Sequence, residues 1–210
     1  MKTHLVKFLA FVLDIPGRAF WRVRKAAIVP RFRSVGKNFS FDPKTSVFSS
    51  ETISIGDDVF VGQYAYFGGE ISIGSNVMFG RGVTILGANH LFGVFGKSTR
   101  FLRPIMGENL RPVIIEDEVW IGANVNILGG TCIGMGAVVG AAALVNSDVP
   151  PYTLSVGNPC RSVRKIFDDK TLEDHLTAIG CSVEKAKEVV KRREELLAGQ
   201  RLQVLDQTRR

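Results

Sequence analysis

The chain has 210 residues, 45% of them hydrophobic, enough for one well-buried domain with an appendage and too few for two full-sized domains. Its 22 glycines follow no Gly-X-Y period and come with only eight prolines, which excludes collagen and low-complexity disorder and marks repeated tight backbone positions. The net charge of +7 favours a polyanionic partner, while three cysteines (Cys132, Cys160, Cys181) without CxxC spacing exclude a disulfide framework or zinc knuckle and fit a reducing cytoplasm.

The first segment, residues 1–34, opens MKTHLVKFLAFVLDIPGRAF. Its apolar run from Leu5 to Ile15 is too short to span a bilayer, and no small-residue cleavage site follows, so secretion is not expected. Phe8, Phe11, Phe20, Trp21, Val23 and Ile28 interleave with Lys2, Lys7, Arg18, Arg22, Arg24 and Lys25, broken at Pro16-Gly17, a pattern that predicts two short helices. Two roles are open for them. They cap the bottom of the following core, or they lie as a basic amphipathic segment on an anionic membrane, peripheral to its cytoplasmic face.

From residue 35 to 166 the chain is periodic at six. IGDDVF, VGQYAY, FGGEIS, IGSNVM, FGRGVT and ILGANH place anchors at Ile55, Val61, Phe67, Ile73, Phe79 and Ile85, with a second apolar or small set four residues on. IEDEVW, IGANVN, ILGGTC, IGMGAV, VGAAAL and VNSDVP resume it at Ile115, Ile121, Ile127, Ile133, Val139 and Val145. Neither a helical period nor simple alternation generates this pattern. It predicts an all-β core, a parallel β-helix whose anchors point inward and whose next residue, usually glycine, turns a crowded corner. Val35 to Ser54 carries a weaker version offset by two residues, an irregular first coil. A repeat of this kind sets the fold and leaves a passive scaffold open as a function.

Residues 91–112 abandon the period and are expected to protrude as a loop. Lys97, Arg100, Arg103 and Arg111 make it basic, and Phe92, Phe95, Phe101 and Leu102 need a surface to pack on. His90 stands where the repeat gives way to this loop. The other histidines, His4 and His175, are distant in sequence, so no metal site and no metal requirement is expected. Residues 167–210 read as helical: Asp168 to Ala178, a turn at Gly180, then a second helix capped by Ser182 and running through Leu197. The run KEVVKRREELL reads as a solvated face or intersubunit strut, and nothing resembles a base-reading module, so no nucleic acid is expected.

The residues resemble the left-handed β-helix hexapeptide-repeat acetyltransferases, which include sugar O-acetyltransferases and streptogramin-type xenobiotic acetyltransferases. The likeness covers residues 50–166 and is most specific in VWIGA from Val119, DVPPY from Asp148, GNPCR from Gly157, and GANH at 87–90. It implies left-handed coiling, a homotrimer, acetyl-CoA as co-substrate and an active site between subunits into which the loop reaches. It further implies His90 as general base, with Trp120 walling the acyl-donor cleft and the backbone at Gly122 and Ala123 facing the thioester oxygen. Ala141 would lie along the pantetheine arm, Arg161 and Arg164 would meet phosphates, and Asn89 and Tyr64 would meet the acceptor. Ser147 stands where relatives often carry a coenzyme-binding lysine. The implied function is O-acetylation of a sugar or glycan in surface polysaccharide or lipopolysaccharide assembly. Competing readings are xenobiotic O-acetylation, nucleotide-sugar N-acetylation, a zinc hydratase, which this chain lacks the clustered histidines for, and a non-catalytic scaffold.

Overall fold

The computed structural model describes residues 19–87, 91–102 and 112–207, and of 201–207 the backbone alone. Short strands stack into three parallel faces. Face A stacks Ser34–Val35, Ile53–Ile55, Ile71–Ile73, Val113–Ile115 and Cys132–Ile133. Face B stacks Ser40–Phe41, Phe60–Val61, Met78–Phe79, Trp120–Ile121, Val138–Val139, Thr153–Val156 and Arg161–Lys165. Face C stacks Val47–Phe48, Tyr66–Gly69, Thr84–Gly87, Asn126–Leu128 and Leu144–Val145. All pairings are parallel except the closing Thr153–Val156 with Arg161–Lys165. The chain is a left-handed parallel β-helix of about six coils.

Each hexad anchor lies in one core, from Ile55 at 4% exposure to Phe67, Ile121 and Val145 at 0%, and the second set (Val59, Ala65, Ile71, Val77, Val83) is equally buried. Pairing explains the offset at the start: Val35 pairs with Ile55, twenty residues on, whereas Ile55 pairs with Ile73 after eighteen. The first coil therefore carries two extra residues.

The corners divide two demands between two hexad positions. At the second position a side chain would strike the next coil: an added Cβ at Gly80 would stand 2.6 Å from the Ala123 nitrogen, and one at Gly122 2.6 Å from the Ala141 nitrogen. At the fourth position the backbone is left-handed, with φ near +60° at Asp58, Tyr64, Asn76, Glu118, Asn124 and Ala142. The hexad period shows the first demand and not the second, because Tyr64, Glu118 and Ala142 are not turn formers.

The N-terminal open end is closed by Phe32, Phe39, Phe41 and Phe48, whose rings pack within 6.5 Å of one another. A helix over 19–28 leads into it, and Ile28 and Val29 pack on the same core. The first of the two expected N-terminal helices falls outside the described residues. At the other end, helix Asp169–Ala178, capped by the Asp168 carboxylate on the Thr171 N–H, packs Leu172 and Leu176 against Ala186, Val189 and Tyr152.

The long helix Val183–Gln207 runs ten residues beyond the expected end at Leu197. Its charged run is not simply solvated. The Arg193 side chain is fully buried, donating to the Phe167 carbonyl at 2.9 Å and to the Asp169 carboxylate at 2.5 Å. Arg192 reaches Glu116 on face A and donates to the Cys132 sulfur at 3.0 Å. Gln200 bridges the Ser162 N–H and the Asp148 carbonyl, each at 3.2 Å, tying the helix to the last coil. Helical spacing of charges gives no sign of which one turns inward.

Candidate functional site

His90 and Asn89 lie outside the described residues, but the ground they leave from is defined. The loop departs after Gly87 on face C and returns at Val113 on face A, and both ends meet Glu70. The Val113 N–H donates to the Glu70 carbonyl at 3.0 Å, and a Cβ at Gly87 would stand 3.1 Å from that same oxygen. Both Glu70 carboxylate oxygens bind the Arg33 guanidinium, whose hydrogen bond holds the Glu70 carboxyl below the usual carboxylate range. Arg33 and Glu70 are 37 residues apart, so only the fold reveals that they secure the root of the loop.

Residues 91–102 of the loop carry a 3-10 turn at Thr99–Phe101. Phe92, Phe95 and Phe101 are 74%, 103% and 85% exposed, so the surface they were expected to need is not found among the described residues.

The other predicted residues distribute over face B and the corner between faces B and C. Trp120 points outward from face B, half exposed, in a row with Phe60, Met78, Val138 and Leu154. Arg164, exposed, is in register with Leu154 and so continues that row, three strand spacings or roughly 14 Å from Trp120. Arg161 instead folds back, donating to the Cys160 carbonyl at 2.7 Å.

At the B–C corner the third hexad position runs upward as Gln63, Arg81, Ala123 and Ala141. Bulk falls to a methyl in the upper two coils, where Ala123 is half-buried and Ala141 exposed. The Gly122 N–H is taken by the Val139 carbonyl at 2.7 Å, whereas the Ala123 N–H meets no backbone acceptor among the described residues. Of the two amides expected to face an oxyanion, only that of Ala123 is available. Ser147 sits at the turn from face C to face A, apart from this corner. The 300 Å³ cleft between face A and the long helix, lined by Ser72, Glu116, Asp117, Lys185 and Arg192 among others, also lies on a different face.

Comparison with known proteins gives this arrangement a family. Residues 52–87 match the bacterial transferase hexapeptide (six repeats) pattern, and residues 112–146 match the hexapeptide repeat of succinyl-transferase. A Staphylococcus aureus (strain COL) protein named as an acetyltransferase is 35% identical over 80% of this chain and 84% of its own. The chain belongs to the hexapeptide-repeat acetyltransferases. Among solved structures, a hexapeptide-repeat acetyltransferase of Vibrio cholerae O1 biovar eltor, complexed with acetyl coenzyme A, is 32% identical with a TM-score of 0.58 over 70% of this chain and 78% of that one. A maltose O-acetyltransferase from Clostridium difficile 630 is 33% identical with a TM-score of 0.62 over 69% and 75%.

Within this hexapeptide-repeat acetyltransferase, one corner residue escaped the sequence reading. Arg81 follows the corner glycine Gly80, and its guanidinium lies 5.6 Å from the ring centre of Tyr64, one coil below. Tyr64 is 56% exposed and held at φ +60°, a conformation costing a bulky residue about 1 kcal/mol, with its N–H bound to Thr45 Oγ1 at 2.8 Å. Tyr64 is thus an exposed, strained aromatic clamped by an arginine at the B–C corner, in the coils below Ala123. Its hexad position, third in FGRG, was the available signal for Arg81.

Proposed function

We propose that this enzyme transfers the acetyl group of acetyl-CoA directly to a hydroxyl of a sugar or glycan, in surface polysaccharide or lipopolysaccharide O-acetylation, with His90 as general base. The observation that supports the reading is the B–C corner, where the side chains shrink to the methyls of Ala123 and Ala141 next to the face-B row that runs from half-exposed Trp120 to exposed Arg164, room suited to a pantetheine arm. At that corner the Ala123 N–H would donate to the oxyanion formed as the hydroxyl attacks the thioester, an interaction worth on the order of 10² to 10³ in rate. A hydroxyl is a poor nucleophile until its proton is taken, and an imidazole with a pKa near about 6.5 suits the task at neutral pH. The proton removed by His90 passes to the departing coenzyme A thiolate, so the step closes without metal.

The acceptor side would be formed by Tyr64, Asn89 and Arg81. The sugar acetylation of the maltose O-acetyltransferase favours a glycan hydroxyl over a xenobiotic or an amino sugar. The loop root and the acyl corner sit at opposite edges of face C, which supports a site shared between copies, with His90 supplied to the corner from outside its own chain. A neighbouring copy supplies it, and a homotrimer closes three such sites.

The test is a mass-spectrometric screen of acetyl-CoA against cellular glycans, free sugars and nucleotide sugars with wild-type and His90→Ala protein. Acetyl transfer to a glycan hydroxyl is expected, falling about 10²- to 10⁴-fold in the variant with acetyl-CoA affinity kept. Unchanged turnover in His90→Ala removes the mechanism, and transfer confined to amines removes the O-acetylation reading.

A further inference from the structure

The charge surplus is concentrated in the first part of the sequence. Residues 1–44 contain ten Lys/Arg against two Asp/Glu, whereas the remaining residues contain seventeen against eighteen. The whole of the net +7 therefore resides in the first coil and the segment before it.

The helix over 19–28 presents two different sides. Its inner side is docked: the Arg24 guanidinium binds the Pro43 carbonyl and lies 5.4 Å from the Trp21 ring centre, and the Lys25 ammonium lies 5.4 Å from the Phe41 ring centre. Its outer side is not. Phe20 is 59% exposed and Val23 68% exposed, and Ala27 continues the same stripe at helical spacing. Beside the stripe opens a pocket of about 300 Å³ lined by Trp21, Arg22, Lys25, Asp42, Pro43 and Lys44. Its one carboxylate, Asp42, accepts from the Thr45 hydroxyl at 2.6 Å and the Lys44 N–H at 3.3 Å, so three cations and an indole line the opening against a single anion.

We infer that this end of the β-helix docks on an anionic lipid bilayer, with Phe20 and Val23 entering the acyl boundary and a lipid phosphate seated between Arg22, Lys25 and Lys44. Apolar side chains alone would fit another protein as well. An apolar stripe beside an excess of cations, with an amphipathic tryptophan at its edge, matches the layered chemistry of a membrane surface. No helix among the described residues is long and apolar enough to cross a membrane, so the contact is a lateral one. The inference is independent of the proposed acetyl transfer, because vesicle binding is read without turnover.

The experiment is co-sedimentation of the full chain with vesicles of phosphatidylcholine alone and of phosphatidylcholine with phosphatidylglycerol. Binding to the anionic vesicles is expected, falling with added salt and absent on neutral ones. Arg22→Gln and Lys44→Gln should each weaken the partition roughly fivefold, the equivalent of about 1 kcal/mol per charge. Phe20→Ser with Val23→Ser, at exposed positions that leave the fold's circular dichroism and melting intact, should weaken it about tenfold or more. Equal binding to both vesicle types, no binding, or undiminished binding of the Phe20/Val23 variant overturns the inference. So does a loss of oligomeric mass in that variant without loss of vesicle binding, which would assign the stripe to another copy of the chain.

Discussion

A glycine that follows an inward anchor is demanded by the coil above it, not by its own φ. Gly80 takes a φ open to any residue, yet its Cβ would stand 2.6 Å from the Ala123 nitrogen and 2.8 Å from the Gly122 carbonyl carbon, both rigid backbone. Gly80→Ala should therefore destabilise by roughly 2–3 kcal/mol through forced separation of coils. Gly199, inside the long helix with nothing within 4 Å of an added Cβ, should give the opposite sign, a gain of up to about 1 kcal/mol as alanine. Thermal melts of the two variants check the pair, and equal shifts would refute the assignment. The same contrast explains what the hexad period conveys. Glycine after an anchor is visible in sequence because the crowding repeats every six residues, whereas the left-handed fourth position is filled by Tyr64 or Glu118 and gives no residue-type signature.

At the scale of elements, the two C-terminal helices are joined through a buried charge. Arg193 is fully buried while its partner Asp169 is half exposed, with the Glu194 carboxylate 3.4 Å from the Arg193 Nε. Asp169→Asn leaves the guanidinium in place without its main anion and should cost about 2–3 kcal/mol, the low end for a broken buried pair because Glu194 remains. Hydrogen bonding from Lys165 first, and from Arg193 as well, holds the Asp169 carboxyl below its ordinary value. A carboxyl lowered on folding stabilises fully above its unfolded pKa of about 3.9 and loses that contribution as pH falls from there through its lowered folded value. The melting difference between wild type and Asp169→Asn should accordingly be full near about pH 7 and shrink towards about pH 3, where protonation does in the wild type what the substitution does in the variant. A difference that stays constant with pH would mean that Asp169 does not carry it. The helices themselves were readable from the Asp168 and Ser182 caps and from Leu172 and Leu176, but Arg193 sits in KEVVKRREELL among residues of its own kind, and burial there is decided by contact with Phe167 and Asp169 across a turn.

At the scale of the molecule, the proposed site has two halves that lie at separate edges of the β-helix. The coils are specified locally, each hexad by its own anchor, so the solenoid was legible from end to end. The site was legible only as residue types, since the edge of the prism on which each one falls depends on where the coil stands when the loop leaves it at Gly87. Trp120 and the corner of Ala123 and Ala141 lie at one side of face C, and the loop bearing exposed Phe95 and Phe101 departs from the other. If neighbouring subunits share the site, a chain lacking the base and a chain lacking the acyl wall should rescue one another. Mixing inactive His90→Ala and Trp120→Ala chains in equal amounts, unfolding and refolding them together, gives interfaces that pair an intact His90 with an intact Trp120 in about one quarter of cases when assembly is random and cyclic. Acetyl-CoA turnover in the mixture is thus expected at about a quarter of the wild-type rate, against background for either variant refolded alone. Turnover no higher than the sum of the two separate variants would place both residues in one chain's site and remove the need for a partner.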